Sequence, residues 1–283
     1  MVRMRRGLTF VELLIALIIV GILGGVSTTF LYTFMDNFDQ SSQYTTALER
    51  GQMVFSILEP AILACGWGVP SSPDRFAAAF AADSNLGKPG WTLPMNVVNR
   101  GSLSGAELRL VYGVALRKET SAMVDLLPGA MVIVPLLGTD VPDVSTAYRR
   151  YGSFPSVRYP AKLSSPTAGS IHASYRGPVP ITTACSDPLI LLRTMDVYVQ
   201  NDVLYVADNM SPAQPVVRGV EKIYFERLPG NVLRVSVLTR GDDACDPTLQ
   251  APVNWPRSQD VPVSTDYNHR LVLSVGTWRA RNQ

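Results

Sequence analysis

From Leu13 to Met35 the chain runs for 23 residues without a charged side chain, and its first part reads LLIALIIVGILGGVSTTFL. At about 1.5 Å of rise per residue, a helix of that length spans roughly 35 Å, enough to cross the hydrocarbon core of a bilayer. A buried helix of a globular protein rarely needs so long an uncharged run. A secretory signal has a shorter apolar stretch followed by a small-x-small cleavage site, and the downstream flank TTFLYTFMDNFDQ offers none. Arg3, Arg5 and Arg6 precede the run, and Asp36 and Asp39 follow it. That asymmetry places the N-terminus in the cytoplasm and everything beyond residue 36 outside the membrane. Composition then narrows the rest. With 283 residues, 47% apolar and 17% charged, the chain is neither disordered nor polytopic. Of its 25 basic residues three lie in the first six positions, which leaves 22 against 23 acidic ones. So balanced a remainder gives no charge-driven reason to bind nucleic acid.

Glu12 is the residue that does not suit a plain anchor. It is flanked by Phe10, Val11, Leu13 and Leu14, and a carboxylate at mid-bilayer costs on the order of 2.5–3.5 kcal/mol on insertion scales. At the edge of the run it reads either as an interfacial group that reaches the headgroups or as a carboxylate awaiting a cation. The string RRGLTFVELLIALIIVGIL resembles the class III leader of type IV pilins and related pseudopilins. Such a leader is short and basic and ends in Gly; an apolar first mature residue, a Thr, and a Glu at the fifth mature position follow. The resemblance implies cleavage between Gly7 and Leu8 by a membrane-embedded prepilin peptidase on the cytoplasmic side, then methylation of the new N-terminus. Leu8 departs from the commoner Phe. By the same resemblance Glu12 is the assembly residue. Physical chemistry supports that role separately, because the carboxylate of one subunit neutralises the free amine of its neighbour and removes two costly charges from an apolar bundle. Gly21, Gly24 and Gly25 let helices approach closely or let this helix loosen; a generic small-residue contact between membrane helices reads the same way.

Past the membrane run, Tyr44, Leu48, Gly51, Phe55, Leu58 and Ile62 follow each other at spacings of four and three, one apolar stripe with Gln43, Glu49, Arg50 and Gln52 off it. The helix is expected to continue out of the membrane and lay this stripe on a sheet. Pro60 is expected to kink or restart it, and ILACGWGVPSSP (62–73) to end it. The division expected is a leader at 1–7, a transmembrane half-helix at 8–36, an amphipathic half-helix at 37–64 and a globular β-rich head at 65–283. Strands are expected at 107–116, 130–137, 188–194, 196–200, 202–208, 222–228, 232–240 and 269–278. The hairpin 196–208 turns near Asn201 and Asp202, and the next turns on Pro229, Gly230 and Asn231. Residues 70–106 and 138–187, rich in Pro, Gly and Ser, read as long loops of functional or variable character. The fold class is α+β: one long N-terminal helix packed on a single antiparallel sheet. In order, QNDVLYVAD, QPVVRGVEKIYFERL, NVLRVSVLTRGDD and HRLVLSVGTWRARNQ resemble the C-terminal half of PilW-type minor pilins, as do SDPLILLR and ACGWG further upstream.

Catalytic parts are scarce. His172 and His269 are the only histidines and stand in no metal-ligand spacing. There is no G-x-S-x-G, P-loop or dinucleotide fingerprint, so no enzyme activity, metal or cofactor is expected. Asp242, Asp243 and Asp246 could offer hard oxygens to Ca²⁺, but their spacing fits no known calcium loop and a solvated turn is the expected reading. The head's compartment is oxidising, so Cys185 and Cys245, both in turn-like loops, are the candidate disulfide and Cys65 the odd thiol. The resemblance implies a structural subunit of a type IV pilus. Its implied partners are the prepilin peptidase, other minor pilins, the major pilin and the inner-membrane assembly platform. A minor pseudopilin of type II secretion shares the architecture. A third reading makes the head a tip adhesin or ligand-binding module that uses the two long loops.

Overall fold

The computed structural model describes residues 9–81, 92–99, 106–139, 144, 150–175, 177–208, 211–244, 255 and 268–280. One helix, α1 (Phe10–Leu63), takes 54 of them and is roughly 80 Å long. Thr9 opens it as N-cap. Nothing in the next fifty residues breaks it, because the sequence holds no proline before Pro60. Pro60 does not restart the helix; it falls inside the last turn, three residues from the end at Leu63. Gly66 and Gly68, at φ of 77° and 75°, then turn the chain where a side chain would be strained.

Every described residue of α1 from Phe10 to Asp39 is exposed. Burial begins at Ala47 and continues through Gly51, Val54, Leu58, Ala61 and Ile62. The stripe is thus rotated by about one residue from the expected one. Tyr44 is 45% exposed, while Leu48 and Phe55 sit on its flank. The reason is size: Ala47 and Gly51 bring the backbone close, and a Cβ placed on Gly51 would lie 2.5 Å from Ser274 Oγ. A face chosen by large apolar residues alone misses a contact made by small ones. Phe55 still contributes, its ring edge-on to Trp278 at 5.1 Å between centroids.

The head follows as α2 (Pro73–Ala81), β1 (Met95–Asn99), β2 (Ala106–Glu119), β3 (Asp125–Leu126), β4 (Met131–Pro135), β5 (Tyr151–Ser153), β6 (Ala161–Thr167) and β7 (Ser170–Tyr175). After β8 (Ile181–Thr182) come β9 (Pro188–Gln200), β10 (Val203–Asp208), β11 (Gln214–Arg218), β12 (Val220–Leu228), β13 (Val232–Ala244) and β14 (His269–Arg279). All strand pairings are antiparallel. They form two principal sheets rather than the expected single one. The larger has nine strands and runs β1-β2-β9-β5-β6-β7-β4, with β10 and β11 branching from β9; the smaller is β12-β13-β14. The branch follows from length. Along one edge β9 pairs β5 through Ile190 and Leu191 and β10 from Met195 to Gln200, while its other edge takes β2.

Expected strands at 188–194 and 196–200 are this one strand. Leu189, Ile190, Leu191 and Leu192 are buried on both faces, and from there burial tends to alternate, which suits a strand that leaves a two-sided core for a one-sided one. The hairpin into β10 turns at Asn201 and Asp202, both at positive φ (50° and 57°), as a two-residue primed turn requires. Two cores result. One lies between α1, the smaller sheet and the adjoining parts of β2 and β9, with Leu58, Ile223, Phe225 and Val235 at its centre. The other joins α2 to β4–β7 and the first half of β9, where Phe76 stacks on Phe80 at 4.4 Å.

The second core corrects the expected long loops. Residues 70–106 hold α2 and β1, and 138–187 hold β5 to β8. These strands escape an apolar scan because small and polar residues build them. In SIHASY the buried positions are Ile171, Ala173 and Tyr175, alternating with Ser, His and Ser. In AKLSSPT the ladder to β7 shifts register between Ser164 and Thr167, and Pro166 occupies that irregularity.

Candidate functional site

The membrane-proximal end of α1 carries the residues the sequence singles out. Gly7 and Leu8 lie outside the described residues. Thr9 and Glu12 form a reciprocal capping box: Glu12 N–H donates to Thr9 Oγ1 at 3.4 Å, and Thr9 N–H donates to Glu12 Oε2 at 2.8 Å. Thr9 Oγ1 also donates to Oε2, at 2.9 Å. All these contacts to the carboxylate fall on one oxygen, and Oε1 has no partner among the described residues. The carboxylate therefore starts its own helix and, among the described residues, leaves one acceptor oxygen unused at the rim of an apolar surface.

That surface is bare. A Cβ on Gly21, Gly24 or Gly25 would meet nothing within 4 Å, so these glycines leave a shallow strip along a helix that has no neighbour there among the described residues. The threonine hydroxyls nearby are satisfied internally. Thr28 Oγ1 donates to the Gly24 and Gly25 carbonyls at 3.1 and 2.9 Å, Thr29 to Gly25 at 3.0 Å, and Thr33 to Thr29 at 3.0 Å. A hydroxyl bonded back to its own helix carries no unmet demand into hydrocarbon. The helix is long and apolar enough to cross a membrane, and its most apolar stretch makes no buried contact in the chain.

Where α1 meets the head, a polar clamp joins residues the sequence reading put apart. Gln43 Oε1 accepts from the N–H groups of Asp242 and Asp243 at 2.6 and 3.1 Å, while its Nε2 donates to Asp243 Oδ2 at 2.6 Å. Arg50 donates to the Arg240 carbonyl at 2.6 Å and pairs with the Asp242 carboxylate. Asp242 and Asp243 thus lie near the end of β13 rather than in a turn, and although solvent-exposed they hold the helix. Asp246 lies outside the described residues. Among the described residues no three His, Cys, Asp or Glu side chains gather as a metal site. The signal that could have found the clamp is spacing, since Gln43 and Arg50 sit seven apart on the face that buries Ala47 and Val54.

The other singled-out residues stay separate. His172 stands in the middle of β7 opposite Ile133 and Ser164, and His269 begins β14. Cys65 is buried after α1, its Sγ 3.4 Å from the Pro94 carbonyl, and Cys185 is exposed beside the Ser121 carbonyl at 3.6 Å. Cys245, and with it the expected disulfide, lies outside the described residues.

No curated protein and no solved structure matches this chain. Residues 2–28 match the prokaryotic N-terminal methylation motif. With the long apolar helix and antiparallel head, that match supports a type IV pilin-like or pseudopilin-like protein, processed by the prepilin peptidase and anchored in a membrane.

Proposed function

We propose that this chain is a structural, non-enzymatic minor pilin of the PilW type, inserted in the inner membrane with its head outside the cytoplasm. It is cut between Gly7 and Leu8, methylated on Leu8, and packed by α1 into a type IV pilus or the complex that initiates one. The observation that carries this reading is Glu12 Oε1, an acceptor without a partner among the described residues, at the start of a helix whose next 27 residues are all exposed. In a helical bundle the neighbour's terminal amine meets that acceptor, and the bare apolar faces cover each other. Its partners are then the prepilin peptidase, the major pilin, other minor pilins and the inner-membrane assembly platform.

Two substitutions separate pairing from capping. Glu12→Gln keeps a side chain suited to the N3 position of a capping box but removes the charge, whereas Glu12→Ala removes both. Both variants should insert and be cleaved, and both should be lost from sheared filaments. Incorporation of Glu12→Gln at the parent level would show that Glu12 acts as a helix cap alone and would sink the pairing.

A further inference from the structure

A cavity of about 690 Å³ that shares no residue with the α1 clamp opens on the head between the start of α2, the turn after β5 and the segment before β8. That is the size range of small-molecule sites. Both regions that build it read as loops in the sequence. Its lining is chemically one-sided. Among the described residues the charged lining side chains are Arg75 and Arg158, no carboxylate lines it, and neither arginine has an ion-pair partner. Some arginines elsewhere in the head are paired, as Arg109 is with Glu107 and Arg240 with Asp202.

A second observation comes from the floor. Tyr175 is fully buried, lines this cavity, and its hydroxyl has no hydrogen-bond partner among the described residues. An orphaned buried hydroxyl is costly, and a ligand that accepts from it removes the cost. Its neighbour Tyr159, edge-on at 5.8 Å, has already donated to the Arg75 carbonyl at 3.4 Å. Ser71 and Ser72 add exposed hydroxyls, while Val157, Val179 and Ile181 supply apolar wall. Arg158 is fixed in an unusual conformation: its φ is 52°, and its N–H donates to the Phe154 carbonyl at 2.9 Å.

Cations for an acid function, hydroxyls for a polyol and an apolar wall for C–H faces occur together in few small ligands. We infer that this cavity binds an acidic sugar, with its carboxylate on Arg75 and Arg158 and a ring oxygen or hydroxyl accepting from Tyr175. Arg holds a carboxylate by paired N–H donors, a geometry that a neutral sugar cannot use. The inference is independent of how the chain is assembled.

The test uses the full-length chain in a zwitterionic, sugar-free detergent, titrated with glucuronate, glucose and inorganic phosphate by calorimetry. Glucuronate should bind saturably and at least about tenfold more tightly than either of the other two. Arg158→Asn tolerates the left-handed backbone and sits on the surface; it should weaken glucuronate about tenfold, as should Arg75→Gln, and Tyr175→Phe severalfold. Absence of saturable glucuronate binding overturns the inference. So does glucose binding as tightly, phosphate binding as tightly, or unchanged affinity in folded Arg158→Asn.

Discussion

Arg50 and Asp242 form the ion pair between helix and head, yet they are unequal. The Arg50 side chain is 17% exposed and also serves the Arg240 carbonyl, whereas Asp242 is 66% exposed. An exposed partner in a salt bridge contributes little, so Asp242→Ala should cost no more than about 1 kcal/mol. Arg50→Ala also strips the Arg240 carbonyl of its donor and should cost about 1–3 kcal/mol. Denaturant unfolding of the two variants checks the inequality; equal losses would mean that the carbonyl bond contributes nothing. At this scale the sequence was only partly legible. Glu12 stood out because a carboxylate beside an apolar run has few explanations. Gln43, Arg50, Asp242 and Asp243 did not, because each is ordinary where it stands, and the bonds between them span about two hundred positions of chain.

Among elements, α1 shows why residue type and register carry different information. Its existence and length follow from a run without breakers, and its end from Gly66 and Gly68. Its buried face depended on Ala47 and Gly51, which hydrophobicity ranks low and close packing ranks high. Gly51→Ala tests that reading. Replacing Gly in a helix ordinarily stabilises by up to about 1 kcal/mol. Here the new methyl would stand 2.5 Å from Ser274 Oγ and 3.0 Å from its Cβ, so the change should be net destabilising by about 1–3 kcal/mol. Pairing it with Ser274→Ala should restore part of the loss, and thermal unfolding of single and double variants would show it. A stabilised Gly51→Ala would mean that α1 sits further from the sheet. Strands β5 to β8 are the complementary case. Buried positions alternate in β6 and β7, but alanine fills Ala161 and Ala173, while β5 is buried throughout around Gly152 and β8 has two residues, so their period is too faint to separate from a loop.

For the whole molecule, two cores share the long strands β2 and β9, and tyrosines sit in both. Burial raises the Tyr112 hydroxyl above the ordinary tyrosine value near 10, with the Asp208 charge adding and Arg193 opposing. Tyr159 and Tyr175, beside the cavity, are raised by burial as well. In the unfolded chain all three ionise near pH 10, while folded they hold their protons to higher pH. Between those two points the unfolded chain binds fewer protons, so stability falls as pH rises through that window and is unaffected well below it. Alkaline unfolding followed alongside tyrosinate absorbance should show the two changes together. Free ionisation of all eleven tyrosines before any unfolding would contradict the burial described.

The same scale holds the division of labour between a head with its own cores and a helix half that is exposed throughout among the described residues. On the proposed function, the basic leader is removed and the exposed helix becomes the interior of an assembly. Intact-mass and N-terminal sequencing of the chain, expressed with and without the prepilin peptidase, decides it. With the peptidase, the protein should begin at methylated Leu8 and lack its first seven residues; without it, at the unprocessed N-terminus. A chain that keeps Arg5 and Arg6 in the presence of active peptidase would contradict the pilin reading at its root.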